Sequence, residues 1–229
     1  MRKSSSLTII SLILYFLHAL ICGLLIRTIH INELWAESLS VFLTLVIVIF
    51  LIGKREYLAY YGIRLWECDN FIKTISILFL VPIVNIPYLF LGTKINIIYA
   101  FINSIYIGVM EELIFRGFLC RFIEEKSSRK KAVFISSLLF GMFHLVNIGS
   151  YPLIYVFLQV LYAFAIGIAF ALVFYKTKSL LACIAVHSIV DFLGSFGTEP
   201  IFVFELIGTI ICILCAIYYY VVTIQNLQK

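Results

Sequence analysis

Long uncharged runs of apolar residues alternate with short charged segments along the whole chain. A helix that crosses a membrane needs about 20 mostly apolar residues, because the hydrocarbon core is about 30 Å thick and a helix rises 1.5 Å per residue. The alternation therefore predicts an all-α, polytopic bundle of transmembrane helices. We predict eight spans, of which the second is short and the fourth contains charged residues: 7–26, 39–53, 75–92, 97–119, 132–148, 152–175, 180–196 and 201–222.

The basic residues between these runs support the count of eight. The chain has 17 Lys and Arg residues in total. If the N-terminus is cytoplasmic, only Arg27 and Lys94 face the other side and Arg116 lies within a span, which leaves 14 on the cytoplasmic side. This asymmetry follows the positive-inside rule. We therefore predict that both termini are cytoplasmic and that residues 1–229 form a single integral membrane domain.

The composition agrees with a membrane protein and excludes two other classes. Hydrophobic residues make up 63% of the chain and charged residues only 13%, with a mean hydropathy of +1.11. A soluble domain carries about 25% charged residues, and a disordered chain combines low hydrophobicity with high charge. The net charge of +5 is explained by the basic residues that set topology beside an anionic leaflet. We expect the lipid bilayer as a partner and no nucleic acid.

Charged groups inside predicted spans are costly and need a reason. The fourth span contains Glu111, Glu112 and Arg116. Glu112 and Arg116 are four residues apart, so they share one face of a helix and can form an ion pair. Glu111 lies about 100° further round the helix, and this pair does not account for it. Glu111 is therefore a candidate for acid–base chemistry.

The fifth and seventh spans also carry histidines. His144 lies four residues after Phe140 in the fifth span, and His187 lies four residues before Asp191 in the seventh. A single core histidine bonded to a backbone carbonyl, or a local His–Asp pair, would each be unremarkable. Counted from the cytoplasmic span ends, however, Glu111 and His187 lie on the order of 10–13 Å deep and His144 about 20 Å deep. We predict that they form one polar site in the cytoplasmic half of the membrane, able to polarise a water or to hold a metal ion.

Three motifs stand in order in the fourth, fifth and seventh predicted spans. They are E-E-x-x-x-R, F-x-x-x-H and H-x-x-x-D, formed by Glu111, Glu112 and Arg116, by Phe140 and His144, and by His187 and Asp191. In this order they resemble the CAAX protease and bacteriocin-processing (CPBP, or Abi) family of intramembrane endopeptidases. The resemblance covers residues 97–196, which would form the catalytic core.

The resemblance implies a role for each matched residue. Glu111, assisted by His144, would activate a water for attack on a peptide carbonyl. His187, with Asp191, would stabilise the oxyanion that develops. The same four residues could instead bind Zn²⁺, since some members of the family are described as metalloproteases.

The remaining motif residues would support this centre. Glu112, Arg116 and Phe140 would hold the site or orient the substrate. The resemblance also implies a bacterial plasma membrane, and a substrate that is a peptide precursor or a prenylated protein, cut at the cytoplasmic half of the membrane. Self-immunity to a bacteriocin is a further role that the family includes.

One residue departs from the pattern of the eukaryotic CAAX enzymes, which have Asn where this chain has Asp191. An Asn side chain can donate a hydrogen bond to an oxyanion, whereas an ionised Asp only accepts. Three roles for Asp191 therefore stay open. It would be protonated, bind a metal, or orient His187.

Two other classes of function stay open as well. A membrane protein of the same fold could bind a peptide, as an immunity protein does, without cutting it. Buried carboxylates also form the proton relays of transporters, but the sequence shows no internal repeat of the kind that many transporters carry. The motifs of site-2 zinc proteases (H-E-x-x-H), rhomboids (G-x-S-G) and presenilins (G-x-G-D) do not occur in the sequence.

Overall fold

The computed structural model describes residues 13, 33–52, 55–91, 95–197 and 199–223. Within these residues the chain is built from helices and contains no β-strand. The α-helices are α1 (Glu33–Ile52), α2 (Arg55–Tyr60), α3 (Phe71–Ile75), α4 (Leu80–Ile83), α5 (Tyr88–Leu91), α6 (Ile97–Glu112), α7 (Cys120–Lys126), α8 (Arg129–Phe143), α9 (Leu153–Thr177), α10 (Leu181–Gly194) and α11 (Phe202–Thr223). Three other helical segments complete the order: 3-10 turns at Ser76–Phe79 and His144–Asn147, and a π-helix at Leu113–Leu119.

Four segments of the described chain are long and apolar enough to cross a membrane. They are Phe71–Leu91, Ile97–Lys126, Leu153–Thr177 and Phe202–Thr223. The apolar helix Leu181–Gly194 is shorter. The predicted all-α class is confirmed, and the chain is an integral, multi-pass membrane protein. The count of eight spans and the cytoplasmic position of both termini stay predictions, and the first predicted span, 7–26, lies outside the described residues except for Ile13.

Several predicted boundaries were wrong for identifiable reasons. Helix α1 begins at Glu33, six residues before the predicted start at 39. The prediction missed its first turns because polar residues occupy them, and it followed the apolar run alone. The predicted span 75–92 begins at Phe71 and is divided into α3, α4 and α5. Pro82 and Pro87 lie in this segment, and proline lacks the N–H that a continuous helix needs.

The other differences concern the helices that carry the charged motifs. The predicted span 97–119 continues without a break to Lys126, because the π-helix joins α6 to α7. The predicted span 132–148 becomes the 15-residue helix α8 with a 3-10 turn after it. Helix α8 begins earlier than predicted, since the Ser128 hydroxyl accepts a hydrogen bond from the backbone N–H of Lys131 at 3.3 Å, a typical N-cap.

The long helix α9 forms the centre of the bundle. Its second half is almost fully buried, including Phe170, Leu172 and Phe174. Helices α8 and α11 pack along α9, and α6 packs against α10. The hydrophobic core therefore surrounds α9, with the α6–α10 pair beside it.

The helices alternate in direction, so the bundle has two distinct ends. At one end, the backbone N–H of Leu180 donates to the Gly62 carbonyl at 2.9 Å and the Ser179 hydroxyl donates to the Arg64 carbonyl at 2.6 Å. We call this the basic end, because all Lys and Arg residues of the described loops lie there. At the opposite end, the Asn85 side-chain amide donates to the Val190 carbonyl at 3.2 Å.

Candidate active site

The two adjacent glutamates lie where the helix changes its geometry. Helix α6 ends at Glu112, and the π-helix Leu113–Leu119 follows at once, with all its residues buried. A π-helix is rare and is frequently found at functional sites. Within it, Arg116 Nη1 donates to Glu112 Oε1 at 2.9 Å, and both side chains are fully buried. The predicted ion pair is therefore present.

A glycine allows α6 and α10 to approach closely beside these residues. A Cβ atom added at Gly108 would lie 2.5 Å from Ser188 Oγ and 3.3 Å from the Ile184 carbonyl oxygen. A Cβ there would require the Ser188 side chain to move and the backbone of α10 to give way slightly. Gly108 lies one helical turn before Glu112, so this contact brings the glutamates within reach of His187.

His187 lies among three carboxylates. Its Nδ1 atom is 2.8 Å from Glu112 Oε1. Its Nε2 atom lies 3.5 Å from Glu111 Oε2 and 3.5 Å from Asp191 Oδ2. An ionised carboxylate only accepts hydrogen bonds, so Nδ1 is the donor to Glu112. Glu112 therefore orients the imidazole, and Nε2 is directed at Glu111 and Asp191.

Two phenylalanines enclose the charged groups. The Arg116 guanidinium carbon lies 4.1 Å from the centre of the Phe140 ring and 5.4 Å from that of Phe170. Both rings also contact His187, at centroid distances of 5.9 and 6.2 Å. Arg116 Nε and Nη2 have no hydrogen-bond partner within the described residues. The aromatic faces therefore contribute cation–π stabilisation to this buried guanidinium.

His144 lies on the other side of Phe140. It follows α8 as the first residue of a 3-10 turn, and its Nδ1 atom is 2.9 Å from the Phe140 carbonyl oxygen. A carbonyl oxygen accepts, so Nδ1 carries the proton and Nε2 of the neutral ring is left as an acceptor. The ring also lines a cavity. A histidine bonded to a carbonyl is therefore present, and it faces open space.

This cavity has a volume of about 340 Å³ and reaches the site from one side. His144, His187 and Asp191 line its inner part, and Glu199 and Glu205 line the part at the opposite end of the bundle. The side of the site towards the basic end is filled with buried side chains. The predicted meeting of substrate and site at the cytoplasmic half of the membrane stays a prediction, and the cavity extends from the site towards the end opposite the basic end.

The four residues that could hold Zn²⁺ do not fit a metal centre in this arrangement. Across the described ranges, no group of three or more His, Cys, Asp or Glu side chains is arranged to hold a metal ion.

The structure brings most of the predicted site residues into direct contact. Glu111, Glu112, Arg116, His187 and Asp191 form one cluster, and Phe140 separates it from His144 by ring contacts. Sequence reasoning missed three residues that shape the site: Gly108, Gly167 and Phe170. A Cβ at Gly167 would lie 3.2 Å from Arg116 Nη2. Gly167 and Phe170 occur in a largely apolar helix, and Gly108 is one small residue of α6, so no sequence pattern distinguishes them.

Fold and site together define a helical membrane protein with a buried histidine–carboxylate cluster beside a cavity. Residues 93–193 match the model of the family described as type II CAAX prenyl endopeptidase Rce1-like. The predicted resemblance to the CAAX proteases is therefore confirmed over this region, which contains every residue of the cluster. A search of the curated proteins finds no match to the chain.

Proposed function

We propose that the chain is a CAAX-type intramembrane endopeptidase that uses Glu111 and His144 to activate a water. Glu111 would take a proton from the water, whose oxygen then bonds to the peptide carbonyl carbon. His144 supports this step as an acceptor, because its Nδ1 is committed to the Phe140 carbonyl at 2.9 Å. General-base assistance of this kind contributes typically 10²–10⁴-fold to a rate.

His187 would stabilise the oxyanion that this attack produces. An N–H group at its Nε2 could donate a hydrogen bond to the oxyanion. The oxyanion forms as the carbonyl π electrons move onto oxygen. Glu112 keeps the ring in place through Nδ1 at 2.8 Å, so the role of orienting His187 belongs to Glu112 rather than to Asp191. When the intermediate collapses, the C–N bond breaks and the leaving amine takes the proton that Glu111 accepted from the water, giving a carboxylic acid and an amine.

Asp191 would act on the reacting side of His187. Its Oδ2 lies 3.5 Å from His187 Nε2 and has no hydrogen-bond partner within the described residues. Asp191 also lines the cavity. A protonated Asp191 could donate to the oxyanion beside His187, as the Asn of the eukaryotic enzymes would.

The observation that carries this proposal is the position of His187, with one carboxylate on Nδ1 and two on Nε2, at the inner part of a cavity that also contains His144. Such a site can bind a peptide, move a proton and stabilise negative charge. We infer that the substrate is a membrane-associated peptide precursor or prenylated protein. The reaction would take place in a bacterial plasma membrane, and bacteriocin self-immunity is a role that it could serve.

The proposal is tested by proteolysis with purified protein in lipid nanodiscs. Two quenched fluorescent peptides are used, one with a farnesylated cysteine before its last three residues and one with the cysteine unmodified. We expect cleavage of at least one peptide by the natural chain, and a loss of at least about 10²-fold in Glu111→Gln and in His144→Ala. The variant Asp69→Asn, at an exposed loop residue of the basic end, is the matched control and should cleave normally.

The same experiment separates cutting from binding. A non-catalytic immunity protein of this fold would bind peptides equally well in the natural chain and in Glu111→Gln, and neither would cleave them. Cleavage that persists at the natural rate in both Glu111→Gln and His144→Ala would contradict the proposed mechanism.

A further inference from the structure

The cavity beside the candidate active site has an acidic wall that hydrolysis of a peptide bond does not itself require. Glu199 and Glu205 line it, in the same cavity as His187 and Asp191. Glu205 lies in the first turn of α11. The Tyr88 hydroxyl donates to Glu205 Oε1 at 3.3 Å and accepts from the Ile201 backbone N–H at 3.0 Å. The carboxylate is therefore held at the wall. We call Glu199 and Glu205 the acidic wall.

Neither carboxylate of the acidic wall has a cationic partner in the described part of the chain. The ion pairs found there involve other residues, and no Lys or Arg lies among the described residues that line the cavity. Glu205 belongs to a helix long and apolar enough to span a membrane. Ionisable residues in such helices face a cavity or the bundle interior and mark the path of a substrate or ion.

Aromatic rings complete this part of the cavity. Tyr151, Tyr155 and Tyr162 line it together with the acidic wall. The faces of such rings attract Lys and Arg side chains. The cavity thus combines uncompensated negative charge with ring faces, which is the chemistry that recognises a cationic side chain.

We propose that the acidic wall selects peptides that carry a Lys or Arg side chain within a few residues of the bond to be cut. This inference rests on the proposed function and names its substrate class. The cation would lie between Glu199, Glu205 and the tyrosine rings. The peptide backbone would continue along the cavity to His187 and His144, which line its inner part.

Binding of three peptides that differ at one position tests the proposal. The peptides are otherwise identical apolar sequences with a fluorescent label and carry Lys, Gln or Glu at the central residue. Binding is measured by fluorescence anisotropy to Glu111→Gln in nanodiscs of zwitterionic phosphatidylcholine, so that neither cleavage nor anionic lipid affects the result. We expect the Lys peptide to bind roughly tenfold to hundredfold more tightly than the Gln peptide, as hydrogen bonds to charged groups do, and the Glu peptide to bind most weakly.

Variants of the acidic wall localise the effect. Glu205→Gln keeps an acceptor for the Tyr88 hydroxyl, so it should fold while it loses most of the preference for Lys. Glu199→Gln alters an exposed residue, and it provides a second measurement should Glu205→Gln fold poorly. The charge-matched control is Asp69→Asn, outside this cavity, which should keep the full preference.

Two results would overturn the inference. One is equal binding of the three peptides, and the other is a Lys preference that survives in the double variant Glu199→Gln/Glu205→Gln. The failure of the proposed function is distinguishable from both. A charge preference without cleavage by the natural chain would contradict only the endopeptidase, and cleavage without a charge preference would contradict only the acidic wall.

Discussion

Among the described residues, the buried guanidinium of Arg116 is paired with one carboxylate. Arg116 and Glu112 are both fully buried and are joined at 2.9 Å, while the remaining contacts of the guanidinium include the ring of Phe140. Removing one partner of a buried ion pair costs about 3–5 kcal/mol, because the other charge stays buried without compensation. Replacing both partners by apolar residues is often neutral. Glu112 therefore has two separable functions: it stabilises the fold by compensating Arg116, and it orients His187.

We predict that Glu112→Ala lowers the stability of the protein by about 3–5 kcal/mol. The double variant Glu112→Ala/Arg116→Met should recover most of this loss, since no charge is left buried. Thermal unfolding in detergent, followed by circular dichroism, measures both. Cleavage should stay low in the double variant, because His187 Nδ1 has lost its acceptor. A double variant less stable than Glu112→Ala alone would show that the pair does not behave as a compensated charge.

At the scale of helices, the approach of α6 to α10 decides whether the site forms. This approach is closest at Gly108, where an added Cβ would lie 2.5 Å from Ser188 Oγ. The Ser188 hydroxyl is buried and has no hydrogen-bond partner within the described residues, so it can rotate or be removed at little cost. The backbone of α10, at 3.3 Å, cannot give way so easily.

We predict that Gly108→Ala destabilises the fold by about 1–3 kcal/mol, the usual cost of overpacking, and lowers cleavage by separating His187 from the glutamates. Adding Ser188→Ala should restore part of the stability and part of the cleavage, because it removes Ser188 Oγ, the atom nearest to the added Cβ. Gly208→Ala is the control, since its Cβ would meet Val84 at an ordinary 3.7 Å, and it should be neutral or slightly stabilising. Equal unfolding temperatures in Gly108→Ala and Gly208→Ala would refute the close contact.

The helices also show how far the sequence predicts this protein. The ends of α9 and α11 lie within two residues of the predicted spans, because long apolar runs leave little choice. The ion pair of Glu112 and Arg116 was also predictable, since both residues lie on one helix face. The contact of Glu112 with His187 was not predictable, because it joins residues 75 positions apart and depends on the close approach of two helices at Gly108.

At the scale of the whole molecule, the basic loops and the acidic wall lie at different ends. Lys and Arg of the described loops lie at the basic end, whereas Asp191, Glu199 and Glu205 line the cavity that extends to the opposite end. Basic loops stay on the cytoplasmic side of a membrane. If the basic end is cytoplasmic, as we predict, the cavity is entered from the non-cytoplasmic side. Its negative wall would then also attract cationic peptides before they bind.

Labelling of single cysteines with a membrane-impermeant maleimide on intact cells measures this orientation. Two chains are compared, both carrying Cys22→Ser. One keeps Cys68, which is partly exposed at the basic end, and the other combines Cys68→Ser with Glu199→Cys at the mouth of the cavity. The remaining cysteines of the described chain are buried and should stay unlabelled.

We expect labelling from outside at position 199 and not at Cys68, because impermeant reagent reaches only the outer face. Labelling of Cys68 alone would mean that the cavity opens to the cytoplasm and that a substrate meets the site from within the cell.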